Sequence, residues 1–306
     1  MLTKSDREVG TLLGLAIGDA MGAPVEFCRR GKFAPVTEYR AGGKFRLQAG
    51  EWTDDTSMAL CLAQSLIHQD GFDPIDQLEN YLKWLDIGYM SCTGKAFGIG
   101  KVVIMSLGRY MKTGDPYTDI KQERFSGNGS LMRLAPVSIY YSNDLDKAVS
   151  YAALSSATTH GSPISIDCCR YLAYLQVHLF NGVDKETLFS EEFTQELYLY
   201  FEETPLHVEL NSIINGIYKS KSIDEISSSG YAVFSLEAAL WSFYHTNSFE
   251  SAILKAVNLG DDADTIGAIT GQLAGAYYGT KGIPNNWISD LSMADNIISI
   301  ANSLIQ

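Results

Sequence analysis

Six glycines, in two sets spaced four residues apart, constrain this chain more than any other feature. Gly14, Gly18 and Gly22 fall on one helical face near the N-terminus, and Gly267, Gly271 and Gly275 do the same near the C-terminus, followed by Ala276. A glycine in a helix interior costs about 1 kcal/mol relative to alanine. Two helices that each carry this cost repeatedly imply a close crossing, because small residues let backbones approach. The expectation is a tightly crossed central pair, with the two acidic segments described below at or near its ends.

Helical periodicity runs through the rest of the chain. Residues 7–21 place Val9, Leu12, Leu13, Ala16 and Ile17 on one stripe, and 55–68 repeats the pattern with Met58, Leu62 and Leu66. Pro74, at a favoured first-turn position, opens a helix over 74–85. The same reading predicts helices over 97–111, 144–157, 164–179, 190–203, 207–218, 231–245, 249–258, 264–278 and 287–304, with 36–45 as an extended loop. Alternating, strand-like segments are few. The Gly/Pro-rich stretches are too short to be linkers, and there is no clean internal repeat. The predicted fold class is therefore all-α: one compact domain over residues 1–306, built from about a dozen helices. With 306 residues and 46% hydrophobic content, the chain can bury a large core.

The net charge is −13 and no basic stripe is present, so nucleic acid is an unlikely partner. An anionic substrate would need metal ions or backbone amides to reverse the local field. Residues 1–8 contain no apolar core of a signal peptide, and no apolar run approaches the roughly 18 residues of a membrane span. Five cysteines, Cys28, Cys61, Cys92, Cys168 and Cys169, match no zinc spacing. They read as free thiols, and the expected location is the cytoplasm.

Chemistry concentrates in two acidic segments: Glu51-Trp52-Thr53-Asp54-Asp55-Thr56-Ser57 and Gly260-Asp261-Asp262-Ala263-Asp264-Thr265-Ile266-Gly267. Each stands at a helix start, where an acid or threonine satisfies unpaired amides and suits the helix dipole. Capping alone does not call for so many acids. Adjacent carboxylates repel, and oxygen donors of this kind favour Mg²⁺, Mn²⁺ or Ca²⁺ over zinc. Two such pairs, each beside a threonine, supply enough ligands for two divalent ions.

Glu26 follows a helix that stops at Gly22 and Pro24, so it reads as a cleft carboxylate or as a solvated acid. Asp19, inside an apolar helix, reads as an acceptor for backbone amides that orients the turn. The loop Ser126-Gly127-Asn128-Gly129-Ser130 is either a phosphate cradle of exposed amides or a tight turn before a core helix. His160, in the turn Thr159-His160-Gly161, is either structural or a contact to a base or phosphate. His68, His178, His207 and His245 have no partner motif. The serine-hydrolase elbow, the Walker loop, the dinucleotide fingerprint and the zinc-protease helix are absent.

Taken in order, five segments resemble the ADP-ribosylglycohydrolase family, which includes dinitrogenase reductase-activating glycohydrolase and the ADP-ribosylarginine hydrolases. They are the stretch from Gly14 to Phe27, Trp52-Thr53-Asp54-Asp55-Thr56, the stretch from Gly127 to Arg133, Thr159-His160-Gly161, and the stretch from Gly260 to Gly267. The resemblance implies an all-α fold with two Mg²⁺ or Mn²⁺ ions. Thr53, Asp54 and Asp55 would bind metal from one side, and Asp262, Asp264 and Thr265 from the other. Glu26 would stand at the edge between metal and substrate, with Glu26 or Asp55 carrying protons in catalysis. Gly127, Asn128, Gly129 and Ser130 would hold the diphosphate, and His160 would lie against the ADP-ribose. Asp261 would back up the ligands.

The implied reaction is removal of ADP-ribose from arginine on a modified protein, by cleavage of an N-glycosidic bond. Other implied readings are a hydrolase of serine-linked ADP-ribose, O-acetyl-ADP-ribose or nucleic-acid-linked ADP-ribose, an immunity protein countering an ADP-ribosyltransferase toxin, and a structural reuse of the fold. The substrate protein is the expected partner, with an ADP-ribosyltransferase as a second. One departure stands out. Many relatives read Cys-Phe-Asp-Ile-Gly where this chain has Ala96-Phe97-Gly98-Ile99-Gly100, so Gly98 replaces an acid that the family associates with catalysis or substrate binding.

Overall fold

The computed structural model describes residues 2–305. Among them are fifteen α-helices and, in place of any sheet, two isolated β-bridges. The helices are α1 (Lys4–Gly22), α2 (Asp54–His68), α3 (Pro74–Ile87), α4 (Lys101–Thr113), α5 (Ala135–Tyr140), α6 (Leu145–Ala157), α7 (Pro163–Phe180) and α8 (Lys185–Leu188). They continue with α9 (Glu191–Tyr200), α10 (Asn211–Ile214), α11 (Ala232–Tyr244), α12 (Phe249–Val257), α13 (Ala263–Tyr278), α14 (Asn285–Ser289) and α15 (Ala294–Leu304). The all-α expectation holds. No helix among the described residues is long and apolar enough to cross a membrane.

Local chemistry accounts for most element ends. Thr3 and Asp6 form a reciprocal capping box at α1, with hydrogen bonds of 3.0 and 2.9 Å; a cap of this kind contributes about 1 kcal/mol. Asp73 caps α3 by accepting from the Ile75 and Asp76 amides, Pro74 takes the first turn, and Gly88 ends the helix at φ +70°.

Where the structure departs from the periodicity, backbone punctuation is the reason. The helix expected over 207–218 is two short 3₁₀ turns flanking α10, because Gly216 turns to φ +68°. The one expected over 287–304 is split into α14 and α15, with Met293 at φ +59° between them. The start expected at 97 moves to Lys101, since Gly98 stands at φ +81°. Two short helices, α5 and α8, were too brief for a periodic signal.

The glycine stripes do what their spacing predicts. α1 and α13 form the largest helix–helix contact in the molecule, and both are buried on every face over most of their length. They run antiparallel. A methyl group added at Gly14, Gly18 or Gly22 would overlap the backbone of Gly271, Gly267 or Ala263 respectively. Gly10 extends the stripe, facing Gly275. The remaining helices pack around this axis in one large hydrophobic cluster. A smaller cluster, with Met58, Tyr81, Trp84, Val103 and Leu107, seats α3 and α4 against α2.

Antiparallel packing fixes the position of the chemistry. The C-terminal end of α1 must lie beside the N-terminal end of α13, so Glu26, just past α1, meets the acids that open α13.

Candidate active site

Asp19 is the organising residue. Buried completely in α1, it accepts hydrogen bonds from the Thr53 amide (3.0 Å) and hydroxyl (2.9 Å) and from the Thr56 amide (3.0 Å) and hydroxyl (2.6 Å). It thereby supplies a second cap to α2 from outside the helix, in addition to Thr53 itself. Burial lifts its pKa to about 6 against the hydrogen bonds from Thr56 and Thr53 that hold it down. The expectation that it would orient a turn describes its place well.

With α2 held in this way, Asp54 and Asp55 occupy its first turn and face Asp262 and Asp264 at the start of α13. Glu26 completes the group. All five carboxylates line one cleft of about 270 Å³, together with Gly127, Asn128, Gly129, His160 and Thr265. A larger groove of about 840 Å³, between α6, α7 and the turn at 199–204, contains none of these residues.

Oxygens of Glu26, Asp262 and Asp264 lie within 4.8 Å of one another. At an effective dielectric of about 20, two charges at that separation repel by roughly 3–4 kcal/mol. Glu26 Oε2, Asp55 Oδ2 and Asp264 Oδ1 are buried with no hydrogen-bond partner in the protein. Native folds seldom leave such atoms unsatisfied, and clustered carboxylate oxygens are the donor set of a hard divalent cation. The residues present therefore fit a metal.

Electrostatics agree. Burial, followed by repulsion from neighbouring carboxylates, pushes Asp54, Asp55 and Asp264 well above the ordinary carboxylate range. Burial lifts Glu26 to about 7; its hydrogen bond with Asp264 and the charge of Lys44 oppose the rise, while Asp262 and Asp19 add to it. Asp262 also rises through burial, restrained by Asn128. The folded protein thus holds protons that the unfolded chain has already released. This contribution to stability is complete below about pH 4, where unfolded carboxylates are protonated, and is lost as pH rises through about 7 for Glu26. In chelator, the melting temperature is expected to fall between pH 5 and pH 8, and a saturating divalent cation should flatten the slope. Thermal melts across that range check this; a melting temperature that rises with pH in chelator would contradict it.

The glycine loop is tied to the acids. Asn128 Nδ2 donates to Asp262 Oδ2 at 2.5 Å and to Ser235 Oγ at 2.9 Å. A side chain at Gly129 would press on the His160 ring beneath the loop, whereas one at Gly127 would only touch it. Arg133, fully buried over the Tyr81 ring at 4.7 Å, donates to the Gly129 carbonyl and to Thr159 Oγ1. Thr159 in turn lies 2.9 Å from His160 Nδ1. Arg133 donates to the Thr159 hydroxyl, whose own proton can go to Nδ1; in that tautomer Nε2–H is the donor toward the loop. Burial, with the Arg133 charge, lowers the His160 pKa to about 3, so the ring is neutral.

The sequence model of the ADP-ribosylglycohydrolase family matches residues 2–306. The chain belongs to this family. It is 40% identical over 98% of its length to a protein of Serratia proteamaculans named ADP-ribosylarginine hydrolase Tri1, and covers 79% of that protein. It is 32% identical, over 94% of its length and 91% of the relative's, to the ADP-ribosyl-[dinitrogen reductase] glycohydrolase of Rhodospirillum rubrum. A solved structure described as an ADP-ribosylglycohydrolase-related protein complex superposes with a TM-score of 0.85 at 41% identity, covering 99% of this chain and 98% of that one.

In this ADP-ribosylglycohydrolase, two of the expected site residues, Thr53 and Ser130, turn their hydroxyls away from the cleft. The Thr53 hydroxyl is engaged with Asp19 and the Asp55 amide. The Ser130 hydroxyl accepts from Ser156 and Cys169 in the interior. Asp261, at φ +54°, accepts from the Ser228 hydroxyl and shapes the turn before α13. Gly98 has a clear geometric role: a side chain there would collide with Asp54 Oδ1.

Periodicity and motif reading gave no role to Phe27, which only closes the first motif, or to Lys101 in the cleft wall and Lys44 at its rim. Phe27 follows Glu26 directly, yet a single aromatic next to an acid carries no pattern.

Proposed function

We propose that this protein is a metal-dependent hydrolase that removes ADP-ribose from arginine on modified proteins. The observation that carries the reading is the convergence of Glu26, Asp54, Asp55, Asp262 and Asp264 with the Gly127–Ser130 loop on one cleft, in a chain 40% identical to a protein named for ADP-ribosylarginine hydrolysis. Asp54 and Asp55 on the α2 side, with Asp262, Asp264 and Thr265 on the α13 side, would hold two Mg²⁺ or Mn²⁺ ions. Thr53 joins this set as the residue that orients the α2 acids. Bound there, such ions supply Lewis acidity and a water made more acidic.

The protein's own residues do the rest. The Gly129 amide suits the diphosphate, with Ser130 contributing through the loop backbone, while Gly127 and Asn128 shape the loop by giving their amides to the Phe125 and Gly230 carbonyls. His160 Nε2–H adds a neutral donor. In the reaction the C1″–N bond breaks, the water's hydroxyl ends on C1″, and its proton ends on the departing guanidine nitrogen. Guanidine is too basic to leave well without that proton. Glu26 Oε2 and Asp55 Oδ2, each buried and unpartnered, are the atoms we assign to carrying it.

The test is release of ADP-ribose from ADP-ribosylarginine and from an arginine-modified protein, with Mg²⁺, with Mn²⁺ and with chelator. Release with either ion and loss in chelator is the expected result. No release with either ion would overturn the proposal, and faster release from serine-linked ADP-ribose would redirect it.

A further inference from the structure

Phe27 is the one large apolar side chain of the cleft wall that the core does not claim. It is 57% exposed, although it borders the buried Glu26. Its backbone stands at φ +64°, a region that favours glycine and disfavours bulky residues. Two backbone hydrogen bonds hold it there: the Phe27 amide to the Asp261 carbonyl at 2.6 Å, and the Asp261 amide to the Cys28 carbonyl at 2.7 Å. Asp261 is itself at φ +54°. Neither the exposure nor the backbone conformation helps packing, so the ring's position asks for another reason.

A cation already rests on this ring. Lys44 Nζ lies 4.0 Å from the Phe27 centroid and 5.8 Å from that of Phe45, whose ring is tilted against Phe97 at 5.1 Å. Among the described residues, the Lys44 ammonium makes no ion pair within 4 Å and no hydrogen bond. It is held by the ring face and by the field of the carboxylates behind it. Guanidinium is planar, less strongly hydrated than ammonium, and stacks on aromatic faces. A site that holds a lysine this way holds an arginine better.

We propose that the Phe27 ring is the seat of the substrate's arginine guanidinium, and that Lys44 is a tethered cation which the substrate displaces. The inference rests on the arginine-linked reading above and gives it a physical origin: a serine-linked substrate brings no cation to this ring. Substrate choice then resides at the rim, in Phe27 and Lys44, while bond cleavage resides in the carboxylates below.

The test separates the two. Binding of N-acetylarginine amide, with the neutral isostere N-acetylcitrulline amide as control, is followed by NMR titration for wild type, Phe27→Leu and Lys44→Met. Leucine keeps the backbone requirement and removes only the π face. Phe27→Leu should weaken arginine amide binding about five- to tenfold, and Lys44→Met should strengthen it by a similar factor. The citrulline compound should bind no variant measurably better than another. On ADP-ribosylarginine peptide, the loss in Phe27→Leu should appear in KM. Equal arginine amide binding by all three proteins would overturn the seat even if the enzyme cleaves arginine linkages. The expected binding series in a protein that cleaves none would leave the seat standing and sink the hydrolase reading.

Discussion

Asp262→Ala is expected to lower kcat/KM for ADP-ribosylarginine by about a thousandfold or more, since it removes an oxygen donor from the charge-bearing centre of the cleft. The same cluster makes an unusual demand on stability. Its carboxylates are buried within repelling distance, three of their oxygens lack a partner, and burial raises every one of their pKa values. Removing one charge in chelator should therefore relieve the fold. Asp264→Asn, which keeps the shape, is expected to melt at or above the wild-type temperature in chelator and to lose the rise that a divalent cation produces. A cation at about 100 times its dissociation constant stabilises the folded state by about 2.7 kcal/mol, which is several degrees for a chain of this size. Calorimetry with and without Mg²⁺ measures both quantities. An Asp264→Asn protein that melts well below wild type in chelator would show that the acids serve the fold and not a cation.

Gly18→Ala is the substitution with the largest expected effect on stability alone. In an unencumbered helix, glycine to alanine gains about 1 kcal/mol. At Gly18 the new methyl overlaps the Gly267 backbone, which cannot rotate aside as a side chain would. Overpacking of this kind costs about 3 kcal/mol or more, and the melting temperature should drop by roughly 5–10 °C. Gly108→Ala is the matched control. Gly108 lies in α4 with open space where its Cβ would stand, so that variant should gain stability. If both variants moved in the same direction, the close approach of α1 and α13 would not be what the glycines serve. Activity should follow stability at Gly18, because any separation of the helices moves Glu26 away from Asp264.

Much of the site was legible one segment at a time. The threonine and acids that open α2 and α13 announce helix starts, and their excess of carboxylates announces a cation. The amide-rich loop announces an anion site. What was not legible was the direction of individual side chains. Thr53 and Ser130 stand in the right segments, yet their hydroxyls are turned to Asp19 and to Ser156. Nothing in the neighbouring residues decides that, because the partners come from other helices. Gly98 reads in sequence as a missing acid; in space it makes room for Asp54.

The fold divides in the same way. By itself, the sequence determined most of the longer helices and the two glycine stripes, since periodicity depends on residues within a few positions of each other. It also determined that the acids sit at helix starts. Only the tertiary structure decided that the stripes run antiparallel, with Gly10 facing Gly275 and Gly18 facing Gly267. That choice brings Glu26 to Asp262 and Asp264, and it places Lys44 over Phe27 at the mouth. Residues more than two hundred positions apart meet only because the close-packed core admits one arrangement of these helices, and that selection is made by the whole interior at once.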